Sequence, residues 1–385
     1  MTAALVERVR RRLVDDGVTR SPDAARVAAA LRDEGVVLGD ESLLHLVGSL
    51  RDELGGLGPL QSLVIDPYVT DVLVNGPNDV WVDRGRGLER SAVGFGDHDA
   101  VARLAQRLAS LAGRRLDEAS PYVDARLSDG TRLHAVIPPI SSDGALISLR
   151  IPHRGGFDLA DLVRLGTVDE CGALWLRAII DARLAFLVSG GTGSGKTTLL
   201  ATLLEVVDPA QRILLVEDSA ELRPRHPHVV RLEARPANLE GAGQVTLRDL
   251  VRQALRMRPD RVVVGEVRGA EVVDLLAAMN TGHEGGCGTV HANSPADVPA
   301  RLEALGLIAG LPRDAVHALI AAGVHVIIHL QRSPRAVSEV HVVERSHGLA
   351  ITSLALVREG HRLVPVEGAG RLASLITAAG GEVPR

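Results

Sequence analysis

The spacing of hydrophobic and polar residues divides the chain into stretches of three kinds. Over residues 1–54, apolar residues recur every three or four positions, which predicts helices. From 55 to 151 the pattern changes to short alternating runs bounded by turn residues, with a helical stretch at 97–112, and predicts a small α/β domain. From residue 167 onward, helical segments alternate with fully apolar runs, which is typical of a parallel sheet covered on both faces.

The predicted domain organisation reflects these changes of pattern. The dipeptide at 129–130 predicts a hairpin, and Thr167 with Glu170 resembles a capping box at the start of a helix. In the N-terminal stretch, 21–23 is predicted to be an N-cap, and Asp40 to cap a further helix. The predicted parts are a helical segment over 1–54, an α/β domain over 55–151, a linker over 152–166, an α/β domain with a parallel sheet over 167–370 and a loosely held tail over 371–385.

Composition and charge exclude several classes of protein. Hydrophobic residues make up 46% and charged residues 24% of the chain, which is ordinary for globular domains. The net charge of −5 provides no overall attraction to nucleic acid or anionic lipid. The N-terminus lacks the apolar core of a signal peptide, and the most apolar run, 315–330, contains histidines and is too short to span a bilayer. With only 2 cysteines, the chain is predicted to be a soluble protein of the cytosol.

One glycine-rich segment has the spacing of a phosphate-binding loop. Residues 190–197 fit G-x-x-x-x-G-K-[ST] between an apolar run and a helical segment, which is the context that this motif requires. The glycines let successive N–H groups turn toward an anion, Lys196 can reach the β- and γ-phosphates, and Thr197 can bind Mg²⁺. Lys196 is the only lysine among 43 basic residues. The predicted nucleotide-binding residues are Gly190, Gly191, Thr192, Gly193, Ser194, Gly195, Lys196, Thr197 and Thr198.

Carboxylates come directly after two of the later apolar runs. Glu217 directly follows the run 212–216 and could orient or deprotonate the attacking water near a γ-phosphate. The alternative interpretation is that Glu217 belongs to an acidic turn on the surface. Glu266 directly follows the run 261–265, and the two together resemble a Walker B segment, although Gly265 stands where most P-loop enzymes have Asp. Glu266 would then hold Mg²⁺ through water or polarise the nucleophile, and its alternative role is to cap the next helix.

Three evenly spaced side chains invite a metal-site interpretation. They are His283, Cys287 and His291, but the glycines among them disfavour the helix that would bring such ligands together, and a fourth ligand is missing. His291 could instead sense the γ-phosphate, take part in a subunit contact or be a structural histidine.

Arginines of the first domain are candidates of a different kind. Arg126, Arg132 and Arg150 lie on or beside predicted strands. Cations that complete a γ-phosphate site often come from another domain or subunit, as arginine fingers. From the residues alone, ordinary surface arginines are the favoured interpretation.

Six stretches of the sequence together resemble one known family. The chain is similar to the ATPases of the type II and type IV secretion superfamily, and in particular to the CpaF/TadA branch, which drives tight-adherence (Flp-type) pilus assembly and related conjugal-transfer machines. The stretches are 57–60 (LGPL) with 70–76 (TDVLVNG), 129–132 (DGTR), 190–197 (GGTGSGKT), 217–222 (EDSAEL), 256–261 (RMRPDR) through 265–269 (GEVRG), and 279–294.

The resemblance implies a fold, an assembly and partners. It implies a RecA-like motor domain over 167–370, a PAS-like domain over 55–151, and a ring-shaped homo-hexamer that binds ATP and Mg²⁺ between these domains. The implied partner is an inner-membrane platform protein, through which the ATPase would associate peripherally with the inner face of the cytoplasmic membrane. No direct binding of nucleic acid is expected.

The resemblance also implies roles for single residues. Glu217 matches the Asp box, Glu266 the Walker B segment and His291 the His box of the family. Arg132 and Arg150 match arginine-finger positions, which reverses the interpretation from the residues alone, whereas Arg126 matches less well. The implied catalytic residues are Lys196, Glu217, Glu266, His291, Arg132 and Arg150, with Thr197 and Glu266 at the metal.

Departures from the family pattern narrow the predicted function. The chain has no paired C-x-x-C insertion and no terminal segment like that of retraction ATPases, which favours a CpaF-like or conjugation-like member. Cys287 and Gly288 replace the Ser-rich pair expected before the His box. The predicted function is a hexameric ATPase that couples Mg-ATP hydrolysis to pilus assembly or secretion. The alternatives are a conjugation-type motor and, less favoured because the chain lacks a basic patch and stacking aromatics, a nucleic-acid translocase.

Overall fold

The structure is a computed structural model that describes most of the chain. The described residues are 8–9, 12, 24–36, 56–66, 68–85, 87–151, 156–235, 237, 242–280 and 285–384. The predicted caps at 21–23 and Asp40 lie outside the described residues, as does His283. Contacts within the chain separate it into two compact units, Met1–Arg154 and Gly155–Arg385.

The helices and strands alternate differently in the two units. The helices are α1 (Ala24–Asp33), α2 (Gln61–Ile65), α3 (His98–Leu111), α4 (Leu159–Arg164), α5 (Glu170–Asp181), α6 (Lys196–Glu205), α7 (Leu247–Ala254), α8 (Glu271–Asn280), α9 (Val298–Ile308), α10 (Arg313–Gly323) and α11 (Ala369–Ala378). The strands are β1 (Asp71–Gly76), β2 (Asp79–Asp83), β3 (Leu88–Arg90), β4 (Tyr122–Arg126), β5 (Arg132–Val136), β6 (Leu146–Arg150), β7 (Phe186–Gly190), β8 (Ile213–Glu217), β9 (Val229–Glu233), β10 (Arg261–Val264), β11 (Cys287–His291), β12 (Val326–Gln331), β13 (Ala336–Ser346), β14 (Leu349–Glu359) and β15 (Arg362–Pro365).

The first unit contains an antiparallel sheet with α3 packed on one face. The strand order is β3-β2-β1-β6-β5-β4, and each neighbouring pair is antiparallel. Alternate residues of β1, β2, β5 and β6 are buried, and they pack with the apolar side of α3. Asp97 caps α3 by accepting a hydrogen bond from the N–H of Ala100 at 2.7 Å. The α/β character predicted for this part of the chain is confirmed, whereas the domain bounds of 55–151 stay a prediction.

The sheet of the second unit has a parallel part and an antiparallel part. Its strand order is β15-β14-β13-β12-β7-β11-β10-β8-β9. The strands from β12 to β9 in this order are mutually parallel, whereas β12 to β15 form an antiparallel meander. The central strand β7, which precedes the glycine-rich loop, therefore has the parallel neighbours β11 and β12.

Apolar cores lie on both faces of this second sheet. Along β7, Phe186 and Val188 pack on the face covered by α5, α6 and α11, whereas Leu187 packs on the face covered by α7, α8, α9 and α10. This division arises from the alternation of side chains along a strand. A strand buried on both faces must be apolar throughout, so the predicted parallel sheet with two covered faces is confirmed.

Two predicted irregular segments contain helices instead. The segment predicted as a linker over 152–166 includes α4, which has a capping box formed by Asp158 and Asp161 and buries Leu159 in the core. The segment predicted as a loosely held tail over 371–385 includes most of α11, whose Leu372 and Ile376 are fully buried. Both helices are short and rich in small or polar residues, so their stability comes from tertiary packing rather than from propensity.

The predicted capping box at Thr167 is wrong. The cap of α5 is Asp169, whose Oδ1 accepts hydrogen bonds from the N–H of Gly172 at 3.1 Å and of Leu363 at 3.0 Å. The second bond ties the start of α5 to strand β15, a partner that local sequence does not reveal. In the described part of the chain, the helices lack the length and apolar character needed to cross a bilayer.

Candidate nucleotide-binding site

The carboxyl ends of parallel strands bring predicted site residues to one edge of the second sheet. β7 ends at Gly190, which pairs with His291 at the end of β11. β10 runs beside β11 and is followed by Glu266, and β8 runs beside β10 and ends at Glu217. Lys196 begins the helix after β7. Residues from separate motifs meet at this edge because a parallel sheet aligns the ends of its strands.

The loop between β7 and α6 has a backbone that depends on glycine. Gly190, Gly193 and Gly195 have φ angles of +149°, +73° and +97°, a region that other residues rarely adopt. A Cβ atom on Gly190 would lie 2.5 Å from the carbonyl oxygen of Leu330. The Ser194 hydroxyl is buried and has no hydrogen-bond partner among the described residues. The loop thus combines the N-terminal end of α6 with a hydroxyl that a bound anion could satisfy.

The remaining predicted loop residues are accessible. Gly191 and Thr192 are exposed at the tip of the loop, Thr197 is half-buried in the first turn of α6, and Thr198 beside it is exposed. A ligand can therefore reach the hydroxyl predicted to bind Mg²⁺ without unfolding of the helix.

Lys196 lies under the loop rather than in solvent. Its Nζ donates hydrogen bonds to the carbonyl oxygens of Gly190 at 3.0 Å and Gly191 at 2.9 Å, and lies 3.5 Å from Nε2 of His291. The side chain is buried, with 8% of the residue exposed. Burial lowers the pKa of the Lys196 amine, and the negative charge of Glu266 acts in the opposite direction.

Glu266 and His291 form a pair beside this amine. Oε1 of Glu266 lies 3.0 Å from Nε2 of His291. Burial, together with the smaller effect of the positive charge of Lys196, lowers the pKa of His291, whereas Glu266 acts to raise it. The lowered pKa favours the neutral imidazole at pH 7. The basic, neutral and acidic groups are thus in contact at the mouth of the glycine-rich loop.

Arg268 and Asp218 extend this cluster, and neither residue was predicted from the sequence to be a site residue. Nη1 of Arg268 lies 3.9 Å from Oε2 of Glu266, and Nη2 donates a hydrogen bond to Asp218. Both residues lie within stretches that carry the family resemblance, which was the available signal. Arg268 links the segment after β10 to the segment after β8 and places a positive charge near the Glu266 carboxylate.

Glu217 is held by the loop immediately after β8. Only 3% of the residue is exposed, and Oε1 accepts hydrogen bonds from the N–H groups of Glu221 and Leu222, both at 2.9 Å. A Cβ atom on Gly265 would lie 2.8 Å from Cγ of Glu217. The Glu217 side chain therefore occupies the space that the Asp expected at position 265 would need. This contact explains why the Walker B segment has glycine there.

The predicted arginine fingers lie together on the sheet of the first unit. Arg132 pairs with Arg150 across β5 and β6 and with Arg126 across β4 and β5. Arg150 is exposed, and its Nε lies 3.4 Å from Oδ1 of Asp71. Arg132 and Arg150 line a shallow depression of about 220 Å³ with acidic and polar neighbours. Their action on a nucleotide stays a prediction.

Among the described residues, Cys287 and His291 do not belong to a metal-ligating cluster, and His283 lies outside that part of the chain. Cys287 lies in the core within β11, and burial raises the pKa of its thiol to about 12. The side chain of Cys287 is therefore a neutral, apolar contact at pH 7. His291 is four residues further along the same strand, at the nucleotide-site edge.

A buried histidine that was not predicted from the sequence lies beside the loop strand. Nδ1 of His329 lies 2.9 Å from the hydroxyl of Ser189, the residue before Gly190. The contact exists because β12 pairs with β7, which places His329 opposite Ser189. Burial lowers the pKa of His329; Glu339 acts to raise it, and His341 to lower it.

The lowered pKa of His329 predicts a loss of stability in weak acid. The unfolded chain protonates this side chain near pH 6.5, above the pH at which the folded chain does, so the free energy of unfolding declines as the pH falls below about 6.5. We expect His329→Gln, which cannot gain a proton, to show a smaller drop in melting temperature between pH 7.5 and 5.5 than the unaltered protein. Thermal unfolding followed by circular dichroism measures the difference. Equal drops in both proteins would contradict this assignment.

The position of the glycine-rich loop in the sheet defines the class of protein. The loop comes after a central strand with parallel neighbours on both sides, and acidic and histidine side chains from the β10–β11 side surround its lysine. This is the arrangement of a RecA-like P-loop nucleotide-binding protein. Residues 53–355 match the family model described as type II/IV secretion system protein, and the chain belongs to that family. The predicted superfamily is thereby confirmed, whereas the CpaF/TadA branch stays a prediction.

Individual relatives agree with this assignment. A putative conjugal transfer protein of Mycobacterium tuberculosis is 56% identical over 321 residues, which cover 81% of this chain and 91% of the relative. The probable conjugal transfer protein TrbB of Sinorhizobium fredii is 32% identical, with 78% of this chain and 90% of the relative covered. The solved structure of the ATPase DotB of Legionella pneumophila has the same fold, with a TM-score of 0.53, 18% identity and coverage of 83% of this chain and 84% of DotB.

Proposed function

We propose that the protein is a motor ATPase that hydrolyses Mg-ATP to drive a type II/IV secretion or conjugal-transfer apparatus. The observation that carries the proposal is the convergence of Lys196, His291 and Glu266 at the end of the glycine-rich loop, where Nε2 of His291 lies 3.5 Å from Nζ of Lys196 and 3.0 Å from Oε1 of Glu266. The lysine can bind the phosphates and the carboxylate can orient or deprotonate the attacking water, which are two functions that hydrolysis of a phosphoanhydride uses, and the neutral imidazole lies in contact with both.

The residues at this edge fit a nucleotide and Mg²⁺ in several respects. Lys196 is held by two main-chain carbonyl oxygens, which phosphate oxygens can replace, and the Ser194 hydroxyl is unsatisfied among the described residues. Thr197 and Glu266 would hold the metal, one through its hydroxyl and the other directly or through water. Bound Mg²⁺ would neutralise charge on the phosphate oxygens.

The two carboxylates and the histidine would have separate roles in activating water and in contacting the γ-phosphate. Glu266 accepts the proton of the attacking water or fixes its orientation, since its carboxylate is partly exposed and contacts His291 at 3.0 Å. Glu217 acts on the same water in our proposal, from a carboxylate that the loop after β8 holds in place. Neutral His291 contacts the γ-phosphate and so couples binding of this phosphate to strand β11.

The proposal extends to assembly and location. We propose a homo-hexamer in which Arg132 and Arg150 act as arginine fingers, docked from the cytoplasm on a platform protein of the inner membrane. The exposed position of Arg150 and its pairing with Arg132 support this role. The conjugal-transfer names of the relatives at 56% and 32% identity favour a conjugal-transfer cargo over pilin, and Flp-type pilus assembly is the competing assignment.

Glu266→Gln tests the proposed hydrolysis. The amide keeps the shape of the side chain but cannot accept a proton, so we expect kcat for ATP to fall by about 100-fold or more while ATP affinity changes by less than about threefold. Steady-state phosphate release and equilibrium binding of a fluorescent ATP analogue measure the two quantities.

The matched control for this experiment is Glu367→Gln. Glu367 is exposed in the turn before α11, so its change should leave kcat unaltered. Phosphate release by Glu266→Gln at the rate of the unaltered protein would refute the role of Glu266. Absence of phosphate release from the unaltered protein, with transfer to an added acceptor, would replace the hydrolase proposal with a kinase.

A further inference from the structure

The turn between β12 and β13 lies against the glycine-rich loop. Leu330 near the end of β12 pairs with Gly190, so the turn leaves the sheet at the same edge as the loop. Nη2 of Arg335 donates a hydrogen bond to the carbonyl oxygen of Gly193 at 3.3 Å. The Cδ atom of Arg335 lies 3.2 Å from where a Cβ atom on Gly195 would be. The side chain of Arg335 therefore lies along the loop.

A second arginine of the same turn points to the same loop. Nε of Arg332 lies 3.9 Å from where a Cβ atom on Gly193 would be. Arg332 and Arg335 are both exposed, and neither forms an ion pair with a carboxylate among the described residues. By contrast, Arg268 on the other side of the loop pairs with Asp218 and Glu266. The turn thus places beside a phosphate-binding loop two guanidinium groups that have no carboxylate partner in the part of the chain that the structure describes.

The strand order indicates which part of a nucleotide these arginines would meet. Glu266 and His291, the groups assigned to the γ-phosphate, lie after β10 and at the end of β11, on one side of β7. The turn comes after β12, on the opposite side of β7. We expect a nucleotide whose γ-phosphate meets the first side to extend its nucleoside end toward the second. The phosphate nearest to that end is the α-phosphate.

We propose that Arg332 and Arg335 bind the α-phosphate of the nucleotide, and so hold ADP as well as ATP. The inference rests on the proposed function, since it assigns a further part of the same ligand. A guanidinium group presents paired N–H donors that match phosphate oxygens, and a hydrogen bond to a charged partner is stronger than a bond to a carbonyl. Arg335 would exchange the Gly193 carbonyl for the phosphate when the nucleotide binds.

The test is a double variant, Arg332→Gln with Arg335→Gln. We expect the Kd for ADP and the KM for ATP to rise by about 10- to 100-fold, because charge-assisted contacts are lost. The kcat should change by less than about threefold, since the groups around the γ-phosphate are untouched. Affinity for Mg-pyrophosphate, which has no nucleoside and no α-phosphate, should stay within about twofold. Displacement of a fluorescent ADP analogue by each ligand measures the affinities.

A matched control and distinct outcomes keep the inference separate from the proposed function. Arg345→Gln removes an exposed arginine at the far end of β13 and should alter none of these constants. If the arginines merely brace the loop, pyrophosphate and ADP affinities fall together or kcat alone falls, and either result overturns the inference. Unchanged ADP affinity in the double variant also overturns it. If the unaltered protein binds neither ATP nor ADP, the proposed function itself fails.

Discussion

Lys196→Ala is expected to lower kcat for ATP by at least about 100-fold, because it removes the cation of the glycine-rich loop. The amine is the cation at the end of the glycine-rich loop, 3.5 Å from His291, and other lysines are absent from the sequence. Its removal leaves the transferring phosphoryl charge without its nearest counter-charge. Phosphate release under saturating Mg-ATP measures the effect.

The folded structure should survive this change. Burial of the charged amine is unfavourable, as its lowered pKa indicates. Removing the amine therefore gives a gain in stability, and this gain offsets the loss of two hydrogen bonds to carbonyl oxygens. We therefore expect the free energy of unfolding to change by less than about 1 kcal/mol. Lys196→Arg is the matched control for charge, and it too should be inactive because a planar guanidinium does not imitate a compact ammonium. Normal turnover in either variant would contradict the assigned site.

The uniqueness of Lys196 provides a second measurement. Apart from the N-terminal amine, Lys196 is the only amine that an acylating reagent can modify. We expect Mg-ATP or Mg-ADP to slow its modification strongly, because bound phosphates cover the amine and lower its nucleophilicity. Peptide mass spectrometry measures the extent of labelling at Lys196. Modification at the same rate with and without saturating nucleotide would contradict nucleotide binding at this loop.

Arg261→Ala is expected to lower the free energy of unfolding by about 3–5 kcal/mol, the largest predicted loss of stability. Only 1% of Arg261 is exposed. Its guanidinium donates hydrogen bonds to Oε1 of Gln211 at 2.7 Å and to the carbonyl oxygens of Ile180 at 2.7 Å and Gly285 at 3.4 Å. The change would leave a cavity and unsatisfied buried acceptors together. Burial also lowers the pKa of Arg261.

Chemical denaturation with Arg256→Ala as control measures this loss. Arg256 belongs to the same arginine-rich motif but is exposed, so its change should alter the free energy of unfolding by less than about 0.5 kcal/mol. Arg261→Lys keeps the charge, but the lysine cannot reach all three acceptors. Its loss in the free energy of unfolding should therefore lie between those of Arg256→Ala and Arg261→Ala. Similar losses for Arg256→Ala and Arg261→Ala would show that the motif is not anchored through Arg261.

Much of the fold and of the candidate site was predictable from short stretches of sequence. The strand, glycine-rich loop and helix around Lys196 could be predicted because each depends on neighbours a few residues away. Glu266 was predicted as an acid at a strand end, since a fully apolar strand contrasts sharply with the charged residues after it. The α/β character of both units could be predicted from the period of the apolar residues for the same reason.

Other features could not be predicted because their partners are distant in sequence. Helix α11 is short, and only its packing on the sheet identifies Leu372 and Ile376 as core residues. The local sequence favours Thr167 as the cap of α5, whereas the actual cap is Asp169, whose second hydrogen bond comes from Leu363. Gly265 is an unexplained departure in the sequence alone, and the Glu217 side chain that fills the space beside it explains the glycine.

The conformation of the phosphate-binding loop depends on local sequence, whereas the side chains around the loop depend on the order of the strands in the sheet. Glycine spacing, one lysine and an adjoining helix suffice for a phosphate-binding loop, because backbone conformation and helix dipole act over a few residues. Which side chains surround that loop depends on β7 lying between β11 and β12, strands that begin about 100 and 140 residues later. Pairing at such a distance reflects the burial of whole strands and helices. His291 and the arginines of the β12–β13 turn therefore reach the loop only through the tertiary fold.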